Sequence, residues 1–202
     1  MQRIAQRLLK IFLLFLITLP LGRHSIAEAQ GNLNARLRGD YFFSRTRTCV
    51  QNVNGFVGTN FQLLGGGSTF TDAVRGVRRY NGDGTGNIVD GHLLLVGHTG
   101  ISASSFPVTE NTFTCNLTYA VSPDGSFTEN ASCSGMILSG LRAGQTFTTT
   151  GIGMRGQITG GGRTLLLDDT NGNVETITFS GPPTPSTFQR ICNRSGTAVK
   201  HQ

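Results

Sequence analysis

Apolar and polar residues alternate strictly along Thr112–Val121. The odd-numbered positions are apolar or aromatic: Phe113, Cys115, Leu117, Tyr119 and Val121. The even-numbered positions are small or polar: Thr112, Thr114, Asn116, Thr118 and Ala120. Because successive side chains of a strand point to opposite faces, this period of two predicts a β-strand with one buried face. A helix would need a period near 3.6 residues, and no stretch after residue 29 shows a convincing one.

Strong turn signals separate this strand from others like it. Ser122-Pro123-Asp124-Gly125 follows Val121 directly, and a second alternating stretch, Ser126–Gly135, returns from the turn. The same unit recurs twice, as Phe70–Tyr80 with Asn87–Val96 and as Thr164–Asp168 with Asn173–Phe179 around Asn171-Gly172. Further strands are predicted at Gly39–Val50, Gln145–Thr159 and Thr187–Asn193.

Eight or nine strands joined mostly as sequence neighbours define the fold class. The sequence predicts an all-β domain, a single antiparallel up-and-down β-barrel of about eight strands, since closure removes exposed strand edges. A two-sheet β-sandwich is the alternative. The composition fits either fold, with 28 glycines, 13 phenylalanines and no tryptophan.

The first 29 residues have the organisation of a signal peptide. Three basic residues, Arg3, Arg7 and Lys10, precede the apolar run Ile11–Leu21, and the segment ends in Ala27-Glu28-Ala29. An apolar run of this length is too short to span a bilayer as a helix, so cleavage before Gln30 is predicted. The expected organisation is a signal-peptide helix at 1–29, a flexible N-terminal segment at 30–38, the barrel at 39–193 and a tail at 194–202.

Charge and compartment limit the classes of partner. The full chain has 17 basic and 11 acidic residues; without the leader's four basic residues and Glu28 it has 13 and 10, a net charge of +3. This mild bias does not favour nucleic acid, and no later stretch is long and apolar enough to span a membrane as a helix. Export predicts a periplasmic or extracellular location, where disulfides form. No cofactor is predicted, and the oligomeric state is not indicated.

Hairpin geometry predicts two disulfide pairs among the four cysteines. If Pro123-Asp124-Gly125 is a three-residue loop, residues whose numbers sum to 248 lie opposite each other, which pairs Cys115 with Cys133. Cys49 and Cys192 remain, and their bridge would join the first strand of the barrel to the last. Zinc sites need close pairs such as Cys-x2-Cys, which the chain lacks, so no metal site is predicted.

Catalytic candidates are few. No nucleophile motif is present, and no cysteine is left free to act with a histidine. Glu129 has the parity of the apolar residues on its strand, and its predicted cross-strand partner is Tyr119. An inward carboxylate beside a tyrosine is a candidate acid–base pair, with solvation at a barrel mouth as the alternative.

Candidate ligand-binding residues come from inward apolar positions and from arginines. Phe113, Leu117 and Tyr119 share the apolar face of their strand, and Arg75 and Arg79 share a face of theirs, as Arg45 and Arg47 do. Interior arginines would bind an anionic head group, whereas exterior arginines would form a solvated face. The exterior arrangement is the one we favour from the sequence.

The start of the first strand resembles a known superfamily. Gly39-Asp40-Tyr41-Phe42 is similar to the Gly-x-Trp sequence of calycin (lipocalin-type) barrels, with Tyr in place of Trp. The resemblance implies a barrel with an apolar interior, a small lipophilic ligand, and an arginine of the last strand, Arg190, stacked across that aromatic ring. The repeated Asp-Gly-Ser/Thr hairpins also resemble exported bacterial barrels of uncharacterised function, and allene-oxide-cyclase and dirigent barrels.

These features predict an exported, non-enzymatic barrel that binds a small apolar or amphipathic ligand or serves as an interaction module. A cyclase or isomerase on the same fold is the alternative, with Glu129 and Tyr119 as its acid–base residues. An outer-membrane barrel is a third hypothesis, although it would require outward apolar faces and aromatic girdles.

Overall fold

The computed structural model of the chain describes residues 33–98, 108–169, 172–181 and 186–201. The predicted signal peptide and its cleavage site lie outside these residues. The described part is all-β, with strands β1 (Arg38–Asn52), β2 (Phe56–Val57), β3 (Gln62–Leu63), β4 (Ser68–Asn81), β5 (Thr85–His98), β6 (Val108–Val121), β7 (Ser126–Ile137), β8 (Thr146–Thr159), β9 (Thr164–Asp169), β10 (Glu175–Ser180) and β11 (Ser186–Lys200). Two short 3-10 turns, Asn34–Arg36 and Gly160–Gly162, complete the elements.

The long strands close into an antiparallel eight-stranded barrel, as predicted. β1, β4, β5, β6, β7 and β8 pair in that order, and β11 closes the barrel by pairing with β1 over Tyr41–Asn52. Continuous pairing around the sheet excludes the two-sheet sandwich. β2 and β3 form a small separate hairpin between β1 and β4, a stretch in which the sequence analysis predicts no strand.

Two short strands share the eighth position of the barrel. β9 pairs with Met154–Thr159 of β8, and β10 pairs with Thr146–Thr150 of the same strand; both also pair with β11. β9 and β10 therefore continue in one direction as an interrupted strand. The hairpin predicted between them is wrong, because Gly172 lies at a break inside one strand; Asn171 lies outside the described residues.

Both ends of the predicted barrel domain need correction. β11 extends to Lys200, and Arg194 and Ala198 are buried, so the predicted tail is a barrel strand. At the other terminus Leu37 is fully buried and Asn34–Arg36 forms a 3-10 turn, so residues 33–38 are an ordered plug and not a flexible segment. We call the barrel end that Leu33–Leu37 covers the plugged end.

Alternation along the strands determines what faces the interior. All three tyrosines pack at the plugged end, with ring centroids 5.6 Å apart for Tyr41 and Tyr80 and 5.0 Å apart for Tyr80 and Tyr119. Inward phenylalanines lie opposite inward glycines on the next strand: Phe43 with Gly76, Phe113 with Gly91, Phe147 with Gly135, and Phe127 with Gly156. Each ring occupies the space that the missing side chain leaves, as the taper of a small barrel requires.

Two of the tight turns have the same construction. In Asp83-Gly84-Thr85 and in Asp124-Gly125-Ser126 the aspartate Oδ1 accepts bonds from the backbone N–H and the hydroxyl two residues later, at 2.7–2.9 Å. The glycines have φ of +97° and +84°, which other residues rarely adopt. The Asp83 segment is thus the hairpin turn between β4 and β5.

The structure contains both predicted disulfides. Cys115 lies opposite Cys133 in the β6–β7 register, and Cys49 lies opposite Cys192 across the β1–β11 closure. The register summing to 248 holds from Asn111 to Val121. The second bridge joins residues 143 apart in sequence, so it fixes the first strand of the barrel to the last.

Candidate functional site

A cavity lies inside the barrel at the end opposite the plug, which we call the cavity end. Its volume is about 80 Å³, enough for several waters, since one requires roughly 10–15 Å³. Its apolar wall consists of Phe70, Val74, Leu93, Leu95, Phe113, Cys133, Phe147, Ile152, Ile177 and Phe179. Its polar wall consists of Arg45, Arg47, Gln51, Asn111, Thr149 and Arg190. Small-molecule sites in proteins commonly combine an apolar wall with a few polar groups, and this lining has the same two parts.

A layer of charged side chains lies inside the barrel, between the cavity end and the tyrosine cluster. It comprises five arginines, Arg45, Arg47, Arg78, Arg190 and Arg194, and four acids, Asp72, Glu129, Asp169 and Glu175. All five arginines are at most 6% exposed. Charges this deep are expensive unless they are paired, so the pairing determines what the layer can do.

Four of the arginines have carboxylate partners. Arg47 Nε donates to both oxygens of Asp72 at 2.6 Å. Arg190 donates to Glu175 Oε2 at 2.6 Å, while Arg194 bonds the other Glu175 oxygen and donates to Asp169 Oδ1 at 2.7 Å. Arg190, Glu175, Arg194 and Asp169 thus form one connected network on β9, β10 and β11, and Arg47–Asp72 is a separate pair on β1 and β4.

The fourth pair belongs to the plugged half of the barrel. Arg78 Nη1 donates to Glu129 Oε1, and the Tyr80 hydroxyl donates to Glu129 Oε2 at 2.7 Å. Burial lowers the pKa of Arg78 but the Glu129 charge more than offsets it, so the net direction is upward. Burial and the same carboxylate raise the pKa of Tyr80 well above its ordinary value. The Glu129 carboxyl group therefore accepts one hydrogen bond from a guanidinium and one from a phenol.

Among the residues that the structure describes, none offers Arg45 a carboxylate partner. Its Nη1 donates to the thioether sulfur of Met154 at 2.7 Å, its guanidinium lies 5.8 Å from the Phe43 ring centroid, and its buried Nε has no hydrogen-bond partner. Burial, followed by the charges of three neighbouring arginines, lowers its pKa well below the ordinary value. Arginine nonetheless keeps its proton in proteins, so the site contains an unbalanced cation.

The sequence-predicted acid–base pair is not assembled. Tyr119 lies opposite Glu129 in the register, as expected. Its hydroxyl, however, donates to the Leu37 carbonyl at 2.8 Å and accepts from the Gly82 N–H at 2.9 Å, which ties the plug to the barrel. The hydroxyl that meets Glu129 is that of Tyr80.

The predicted ligand-binding residues separate into three places. Phe113 lines the cavity, whereas Leu117 and Tyr119 are buried in the core outside it. Arg75 and Arg79 are exposed on the outer wall, where Arg79 bonds Asp40 at 2.8 and 3.0 Å. These two arginines do not line the cavity.

The expectation of an exterior position is wrong for Arg45 and Arg47, which are 6% and 5% exposed inside the barrel. The sequence does contain a signal for the inward orientation of Arg45 and Arg47. Both residues share the parity of Tyr41, Phe43 and Cys49, and these apolar positions mark the inner face of β1. The same parity argument, applied through Cys192, would have found Arg190 and Arg194.

Arg190 does not occupy the position that the calycin resemblance implies. It pairs with Glu175 at the cavity end, whereas Tyr41 lies at the plugged end. The cation near Tyr41 is Lys200, whose Nζ is 5.8 Å from the ring centroid. The strand register explains the difference, because Tyr41 lies opposite Lys200, ten residues beyond Arg190.

Comparison with known proteins finds nothing similar to this chain: no family model matches, and neither a curated protein nor a solved structure does. Within the described ranges, no three metal-ligating side chains gather into a group that could hold an ion. The helical segments in those ranges also include none with the length and apolarity to cross a bilayer.

Proposed function

We propose that this protein is an exported binding protein whose barrel takes up a small amphipathic molecule at the cavity end. The observation that carries the proposal is the cavity itself: about 80 Å³ inside the barrel, with ten apolar residues and six polar ones in its wall. A well-packed barrel of this size would fill its interior with side chains. In this barrel, unfilled space remains at the cavity end.

The location of the protein forms part of the same proposal. The basic and apolar leader favours secretion, and two disulfides with no free cysteine in the described chain fit an oxidising compartment. A periplasmic or extracellular protein meets small molecules before they reach the cell interior, which suits a binding role.

Binding is tested by titrating the mature protein with small organic compounds while recording amide and methyl NMR spectra. Benzyl alcohol, hexanol, benzoate and hexanoate cover neutral and anionic forms at suitable size. We expect shifts concentrated at cavity residues such as Phe113, Ile152 and Ile177. A folded protein whose spectrum none of these compounds changes at millimolar concentration would contradict the proposal.

A matched pair of variants locates the site. Ile177 is buried in the cavity wall, and its neighbour Thr178 has the opposite parity and faces outward. Ile177→Trp fills the cavity and should abolish binding, whereas Thr178→Trp should leave binding unchanged. Equal loss in both folded variants would place the binding site elsewhere.

A further inference from the structure

We infer that the ligand is a monoanionic carboxylate whose head group binds Arg45. This inference rests on the proposed binding function and adds the chemical class of the ligand. It depends on three observations: the charge balance of the interior, the unmet hydrogen-bonding capacity of Arg45, and the mixed lining of the cavity.

The charge balance can be completed from the sequence. The barrel interior holds five arginines and four acids, and every other acid of the chain is accounted for. Asp40, Asp83, Asp90, Glu110, Asp124 and Asp168 lie outside the barrel wall or in turns, and Glu28 belongs to the leader. The segments of the mature chain that the structure does not describe contain no Asp or Glu. The mature chain therefore has no further Asp or Glu side chain to neutralise Arg45.

Arg45 is placed to receive a ligand. It lines the cavity and lies between the Arg47–Asp72 pair and Arg78, on the inner face of β1. A guanidinium carries five N–H donors, of which one here meets a thioether, a weak acceptor, and the Nε donor is unpartnered. Its backbone neighbour across the closure is Gly196, where an added Cβ would lie 2.3 Å from the Arg45 Cβ, so the strand leaves room for this side chain.

The same observations select the class of anion. One excess positive charge balances one negative charge, whereas a dianion such as phosphate would leave the interior negative. A planar carboxylate matches the two-pronged geometry of a guanidinium. The apolar wall beyond Arg45 requires an apolar body on that carboxylate, and the cavity volume favours a short or compact one.

Calorimetric titration with matched acids and amides tests the inference. Hexanoate and benzoate are compared with hexanamide and benzamide, which have the same shape without the charge, and with sulfate. Wild-type protein should bind each acid at least tenfold more tightly than its amide and should not bind sulfate. In Arg45→Gln the preference should fall to about one, whereas Arg75→Gln, which changes an exposed arginine on β4, should keep it.

The outcomes separate the two proposals. If acids and amides bind wild-type protein equally, or if sulfate is preferred, the inference fails while the binding function stands. If neither acids nor amides bind, the binding function fails as well. Should Arg45→Gln not fold, NMR of the arginine Nε–Hε groups in wild-type protein decides: hexanoate should shift one buried resonance and hexanamide should not, and identical responses to both would overturn the inference.

Discussion

At the scale of single residues, two kinds of contact between neighbouring strands determine how the interior packs. Large rings lie over glycines, and Arg47 and Arg190 lie opposite carboxylates of the next strand. Both kinds of contact require that the side chains of each strand alternate between the inner and outer face. A substitution at an inward position therefore changes the packing or pairing of the residue opposite it on the next strand. Phe127 over Gly156 and Arg47 beside Asp72 are one example of each kind.

Gly156→Ala should destabilise the protein by about 1–3 kcal/mol, the usual cost of overpacking. The added Cβ would lie 2.3 Å from Phe127 Cζ and 2.7 Å from the Leu166 carbonyl oxygen, so the ring or the strand must move. Urea unfolding measures the change. Gly66→Ala is the control, because no heavy atom lies within 4 Å of its Cβ position and no loss is expected there. Equal stability of the two variants would contradict the packing account.

At the scale of strands and turns, the Asp-Gly-Ser/Thr turns and the disulfides fix the register. Hydrogen bonds from Thr85 lower the pKa of Asp83, and those from Ser126 lower the pKa of Asp124. A carboxyl group whose pKa is lower in the folded state stabilises the fold above its unfolded pKa, near 4, and loses that contribution as the pH falls through the folded value.

The double variant Asp83→Asn/Asp124→Asn should therefore respond less to acid than the wild type. Asparagine keeps a side-chain acceptor for each turn but does not titrate. The urea midpoint at pH 7 is compared with that at pH 3, and the difference should shrink in the variant. Asp90→Asn, which changes an exposed aspartate outside these turns, is the control. An undiminished acid response in the double variant would show that the turns do not contribute to it.

The two disulfides should differ in their contribution to stability. In the chain-entropy model, a bridge stabilises by restricting the unfolded chain, by about 5 kcal/mol for the Cys49–Cys192 loop and about 3 kcal/mol for the Cys115–Cys133 loop. Replacing both cysteines of each pair with alanine and measuring urea unfolding compares them. We expect the larger loss for Cys49→Ala/Cys192→Ala, and a larger loss from the hairpin pair would contradict the model.

Much of the strand and turn structure was predictable from the sequence, because it depends on residues that are neighbours in the chain. The Thr112–Val121 alternation and the three-residue turn after it fixed a register that the structure retains. The interrupted strand β9–β10 was not predictable in the same way. Asn171-Gly172 is a common hairpin sequence, and only pairing with the distant strands β8 and β11 distinguishes a break from a turn.

At the scale of the whole molecule, closure of the sheet creates an interior that holds buried charged side chains. Charged side chains that face the interior of a closed barrel are neutralised either by one another or by a bound ligand. That balance has no direct sign in the sequence, because the arginines and acids of the layer come from six strands, β1, β4, β7, β9, β10 and β11. Once the inward face of each strand and the closure of the barrel are known, counting the inward arginines and acids gives an excess of one arginine.

The most direct test of this account is the stability of ligand-free protein, refolded from denaturant, in two variants of neighbouring inward arginines. Arg47→Met leaves Asp72 buried and unpaired, and should cost about 3–5 kcal/mol of unfolding free energy. Arg45→Met removes a charge that has no carboxylate partner and should leave the protein as stable as the wild type or more so. A loss for Arg45→Met as large as that for Arg47→Met would contradict the claim that Arg45 stands unbalanced in the barrel.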